Sequence, residues 1–129
     1  MVNSLLAISA GASLGAILRW MLGTALNMVY PPIPLGTLTA NLLGGYIIGL
    51  ALGVFTFFPN LAPEWRLFVV TGFLGALTTF STFSAEVVGL LLEQRLLMAL
   101  ATVALHVCGS LAALFLGMGT LALFRHFVH

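Results

Sequence analysis

Apolar positions fall into four long runs, separated by three short interruptions rich in proline or charge. The first run covers about 5–29 and stops at Tyr30-Pro31-Pro32-Ile33-Pro34, where the prolines cannot continue a helix. The second covers 35–58 and stops at Pro59-Asn60-Leu61-Ala62-Pro63. Glu64 opens the third, 64–92, in the first turn, where the helix dipole favours an acid. Glu93-Gln94-Arg95 then makes a minimal polar turn before the fourth run, 96–124, which closes at Arg125-His126. At about 1.5 Å per residue, each run is roughly 30 Å or longer, enough to cross a bilayer. Barrel strands would alternate apolar and polar residues over segments of about ten, and no such alternation occurs. The pattern predicts an all-α membrane protein, one integral domain over residues 1–129 with four transmembrane helices.

Composition agrees and narrows the function classes. Hydrophobic residues make up 61% of the chain and charged ones 5%, against about 25% charged in a soluble domain. That excludes a soluble enzyme and a disordered chain. With four arginines and no lysine, a nucleic-acid partner is excluded too. Cys108 stands alone among apolar neighbours and reads as a packing thiol. The N-terminus lacks the positive region of a cleavable signal, and its apolar stretch is too long for one.

Four crossings put Arg66 and Arg125 on one side of the membrane and Arg95 on the other, joined there by Arg19 if it snorkels. So little positive-inside bias predicts insertion in both orientations and an antiparallel, dual-topology homodimer. Residues four apart form stripes: Gly11, Gly15, Arg19 and Gly23; Gly45, Gly49 and Gly53; Gly109, Ala113 and Gly117. Such stripes let helix backbones approach closely in lipid, and they predict tight packing without specifying what the bundle does.

Polar residues inside the runs carry the candidate chemistry. Asn41, preceded by Thr37 and Thr39, needs hydrogen-bond partners at its depth. Two readings stand: a helix–helix bond, or a donor lining a pathway. The third run holds Gly-Phe-Leu-Gly-Ala-Leu-Thr-Thr-Phe-Ser-Thr-Phe-Ser from 72 to 84. Hydroxyls and glycines at this density predict a broken helix around 75–79, with freed carbonyls able to hold a cation. The alternative is a continuous helix whose hydroxyls bond their own i−4 carbonyls. Phe80 and Phe83 share a face, as do Ser81 and Ser84. Ring edges are the positive part of the aromatic quadrupole, so edges set among hydroxyl and amide donors suit a small, partly dehydrated anion. Plain packing of the two rings is the competing reading. Ser110 extends the polar track. Arg19 and Glu86 are intramembrane charges, functional by default yet close enough to helix ends to snorkel. His106 reads as a packed or hydrogen-bonded core histidine, and with no Cys or His cluster no transition-metal site is expected.

The Gly-Thr-Leu-x-x-Asn-x-x-Gly string from 36 to 44, the Thr-Thr-Phe-Ser-Thr-Phe segment at 78–83 and Gly11-x-x-x-Gly15-x-x-x-Arg19 together resemble the small fluoride-channel family, Fluc or CrcB. The resemblance covers all four runs. It implies a passive fluoride channel, built as an antiparallel homodimer with two pores, in a microbial membrane. It implies a central structural Na⁺, not transported, held by backbone carbonyls of Gly75 and Thr78 from both subunits. It also implies Phe80 and Phe83 as pore aromatics with Asn41 as the nearby amide. Ser81, Thr82 and Ser110 would belong to the polar track, and Arg19 would stand near the entrance. Fluoride entering an acid-stressed cell as HF would dissociate and then leave as the anion. The residues by themselves do not choose fluoride over chloride.

Three other functions compete, one of them a fluoride/proton antiporter, which would need a titratable midplane group. A small dual-topology multidrug exporter has four helices as well, but it needs a midplane carboxylate to exchange protons for substrate; no acid precedes Glu64, and Glu86 lies near a helix end. A scaffold subunit would use the small-residue stripes to bind other helices, leaving Phe80 and Phe83 with stability roles only.

Overall fold

The computed structural model describes residues 1–128. Four spans among these residues are long and apolar enough to cross a membrane. The first is α1, Val2–Leu26, and the second is α2, Leu35–Phe57. The third runs Pro63–Leu92 in two pieces, α3 over 63–77 and α4, Phe80–Leu92. The fourth is α5, Leu96–Val128. The expected boundaries hold to within about one turn: the first helix is offset by three residues at both ends, and the fourth runs four residues past its expected end at 124. The first stops before Met28 and Val29, and the side chain of Asn27 at its end reaches the next helix: its Oδ1 accepts the Thr37 N–H at 3.1 Å. Pro34, the N-cap of α2, makes no side-chain cap of its own, so Asn27 satisfies one of the orphan donors at that helix start.

Large apolar side chains face outward, including Leu14, Ile17, Trp20, Leu97, Leu100 and Phe115, as a lipid-bathed surface requires. The interior is held instead by close backbone approach. Helix α1 crosses α3 where a Cβ on Gly11, Gly15 or Gly72 would collide with the Phe68, Phe73 or Ile8 carbonyl. Helix α2 crosses α5 where a Cβ on Gly49 or Gly117 would strike the Leu114 or Tyr46 carbonyl. The stripes therefore mark the two main crossings. Ala40, Leu74 and Leu77 form the buried cluster between them, with Leu18, Leu22 and Ile47 packed around it.

Helix α3 departs from the expected α geometry. Leu67–Leu74 is π-helical, with i→i+5 bonds that put more residues into each turn. Apolar periodicity over eight residues does not distinguish this from an α-helix. The chain then breaks at Thr78 and Thr79, whose ψ angles of 156° and 117° are extended. The break falls at the C-terminal end of the expected 75–79 window, and Gly75 itself stays helical, with φ −60° and ψ −34°.

The turn into α5 is closed by Arg95 N–H to the Leu90 carbonyl at 2.9 Å and Gln94 N–H to the Leu91 carbonyl at 3.0 Å. This Schellman arrangement puts Gln94 at φ 60°, a conformation that suits glycine best. Gln94→Gly is expected to stabilise the folded protein by about 0.5–1 kcal/mol. A rise in the temperature of half-loss of folded protein in detergent measures it, and a fall would contradict it.

Candidate functional site

Breaking a helix inside the membrane frees backbone groups that must find partners. Asn41 on α2 supplies them: its Oδ1 accepts the Thr79 N–H at 2.8 Å, and its Nδ2 donates to the Thr79 carbonyl at 3.1 Å. One side chain thus splints both polar groups of the extended residue. Nδ2 also lies 2.9 Å from His106 Nδ1 on α5. From α1, Arg19 Nε donates to the Ala76 carbonyl at 3.0 Å. Thr79 caps the restarted helix, its Oγ1 accepting the Thr82 N–H at 3.1 Å.

The N–H groups that a continuous helix would give to the Gly75 and Thr78 carbonyls, those of Thr79 and Thr82, are therefore bonded elsewhere. Back-bonding hydroxyls occur as well, Thr78 Oγ1 to the Leu74 carbonyl at 2.9 Å and Ser84 Oγ to the Phe80 carbonyl at 2.8 Å. One comes from the break itself and one from the helix beyond it, and they do not abolish it. Because the cap of α4 rests on one hydroxyl, Thr79→Val is expected to cost about 1 kcal/mol of stability, with Thr79→Ser retaining most of it. Equal stability of the two variants would show that the cap contributes nothing.

Along the break runs an open groove of about 560 Å³. Of the expected site residues, it brings together Asn41, Gly75, Thr78, Phe80, Phe83 and Ser110, and it adds His106. Phe80 and Phe83 meet edge to face, with centroids 5.6 Å apart and planes at 67°. Phe83 is buried and stacks on the His106 ring at 4.4 Å and 30°. Phe80 is 79% exposed, so its ring is available to whatever enters the groove.

The remaining candidates lie off this groove. Arg19 and Thr82 line a second cleft, shared with Trp20, Asn27, Thr37 and Thr79. Ser81 is exposed, its Oγ 3.3 Å from Thr79 Oγ1. Glu86 does not snorkel freely, because its Oε2 accepts the Thr37 hydroxyl at 2.7 Å and its Oε1 is buried without a partner among the described residues. Sequence reasoning placed His106 in the core, and it is buried, but the Asn41 contact and the groove make it part of the site. One signal was available: His106 and Ser110 are four apart on α5 and therefore share a face. Thr37 and Glu86 stood out singly as an intramembrane hydroxyl and charge, but nothing local in the sequence pairs them.

A family model described as "CrcB-like protein, Camphor Resistance (CrcB)" matches residues 6–118. The chain belongs to the CrcB/FluC family. Three relatives are each named "Fluoride-specific ion channel FluC". The protein of Desulfovibrio desulfuricans is 59% identical over 97% of this chain and 97% of its own length. That of Tolumonas auensis is 60% identical over 97% and 98%. That of Chromohalobacter salexigens is 62% identical over 91% and 89%. CrcB/FluC membership makes the chain a multi-pass membrane protein of an ion-channel family and not an enzyme.

Proposed function

We propose that the protein is a fluoride-selective passive channel that lets cytoplasmic fluoride leave the cell and so relieves its toxicity. The observation that carries this is identity of about 60% over nearly the whole chain to proteins named as fluoride-specific channels. The groove supports it chemically. Fluoride is a small, strongly hydrated acceptor, and a site that takes it from water needs hydrogen-bond donors and positive ring edges in place of that water. Phe80 and Phe83, with Asn41 and Ser110 beside them, form the centre of the proposed pathway. Ser81 and Thr82 extend its polar track, and Arg19 raises the local anion concentration near an entrance.

The working unit is an antiparallel homodimer with two pores, each copy a single membrane domain. The near-absence of charge bias between the two ends supports dual topology. An open groove with exposed Gly75 and Phe80 supports a second copy packing there.

A structural Na⁺ at the centre of that dimer fits the residues present. Alkali cations take carbonyl oxygens as ligands, and the Gly75 and Thr78 carbonyls have helical N–H partners that are bonded elsewhere. Bound there, the cation would supply positive charge that ties the two breaks together.

Reconstituted protein in liposomes loaded with fluoride or chloride tests the function. With a K⁺ ionophore added, fluoride is expected to leave rapidly while chloride is retained. Efflux that requires a proton gradient would make the protein an antiporter, and no flux from a folded dimer would leave the scaffold reading.

A further inference from the structure

The hydrogen bonds at the break determine where a single proton sits. Thr79 N–H can only donate and faces Asn41 Oδ1 at 2.8 Å, while the Thr79 carbonyl can only accept and faces Asn41 Nδ2 at 3.1 Å. Turning the amide over would set N–H against N–H and oxygen against oxygen, so the backbone fixes which end is nitrogen. The Nδ2 group then reaches His106 Nδ1 at 2.9 Å as a donor. Nδ1 must present its lone pair, and the hydrogen of the neutral ring is therefore on Nε2.

That Nε2 is buried and has no partner among the described residues, and the whole side chain is only 4% exposed. A buried donor left unmade costs about 1–3 kcal/mol, so an acceptor from outside the chain is favoured. His106 lines the groove beside Phe80 and Ser110 and stacks on Phe83.

We propose that Asn41 is a positioning residue that acts through His106: it locks the Nε2–H tautomer, so that the ring offers the passing anion an N–H and not a lone pair. Both Nδ2 hydrogens of Asn41 have acceptors already, Thr79 and His106, and the donor it provides is the one it sets on its neighbour. Fluoride can only accept, so a ring protonated on Nδ1 would turn a lone pair toward it and repel it. This rests on the fluoride-channel reading above.

The test uses full-length protein in lipid, with ¹⁵N-labelled histidine and solid-state NMR, which distinguishes protonated from bare ring nitrogens. The expected result is one Nε2–H tautomer for His106, with a resonance that moves on adding fluoride and not chloride. Asn41→Asp keeps an acceptor for Thr79 but offers Nδ1 no donor, so it is expected to switch the ring to Nδ1–H. His106→Gln carries an amide donor near the place of Nε2 and is expected to lose less fluoride flux than the shorter His106→Asn, which should lose about tenfold or more. An Nδ1–H ring in the unmodified protein, an unchanged tautomer in Asn41→Asp, or equal flux in the two His106 variants would each overturn the proposal. The two readings fail separately. An Nε2–H ring in a protein that passes no fluoride removes the channel and the anion's part in the proposal; normal flux with an Nδ1–H ring removes only the tautomer lock.

Discussion

Replacing Phe83 by isoleucine is expected to lower fluoride efflux from proteoliposomes at least about tenfold while the protein still folds. Isoleucine keeps an apolar, bulky side chain in a buried position but removes the ring, and with it the positive edge that an anion can approach. The loss required is small in energy, since about 1.4 kcal/mol of destabilised passage is already a factor of ten. Phe83 is also the ring between Phe80 and His106, so its removal withdraws a stacking partner from His106 as well. Phe80→Ile separates the two effects. Phe80 is largely exposed on the single chain, its replacement costs little packing within that chain, and a comparable fall in flux from a variant that still forms the dimer would come from the ring itself. Efflux measured with a fluoride electrode, alongside gel filtration to confirm folding, decides it. Normal efflux in both variants would return the pair to a packing role.

The second large effect is on the fold. Gly117→Val is expected to destabilise the protein by about 1–3 kcal/mol or more through overpacking, because any Cβ there meets the Tyr46 carbonyl, which belongs to backbone and cannot rotate away. The same change at Gly49, on the facing helix, meets the Leu114 carbonyl. Both together should leave no folded protein in detergent. Gly119→Ala supplies the control: a Cβ there meets nothing within 4 Å, and alanine is the better helix former by about 1 kcal/mol. Thermal loss of the folded species, followed by gel filtration, is the measurement. If Gly117→Val proved as stable as Gly119→Ala, the α2–α5 crossing would not depend on backbone contact.

The four spans, their loops and the polar segment at 72–84 were all legible in the sequence, because each is a local property. Apolar run length sets a crossing, prolines end it, and clustered hydroxyls with glycine weaken a helix where they stand. The four-residue stripes likewise announced close approach, since spacing along one helix is enough to define a face. What faces what is a different kind of information. Asn41 meets Thr79 across 38 positions and His106 across 65, and Thr37 finds Glu86 across 49. No window on the sequence contains both ends of any of these bonds. Hence the tertiary structure alone decided that Asn41 splints the break, at which end of the 75–79 window the break opens, and that His106 belongs to the groove. The π-helical stretch belongs with these, since an apolar run satisfies i→i+4 and i→i+5 bonding alike.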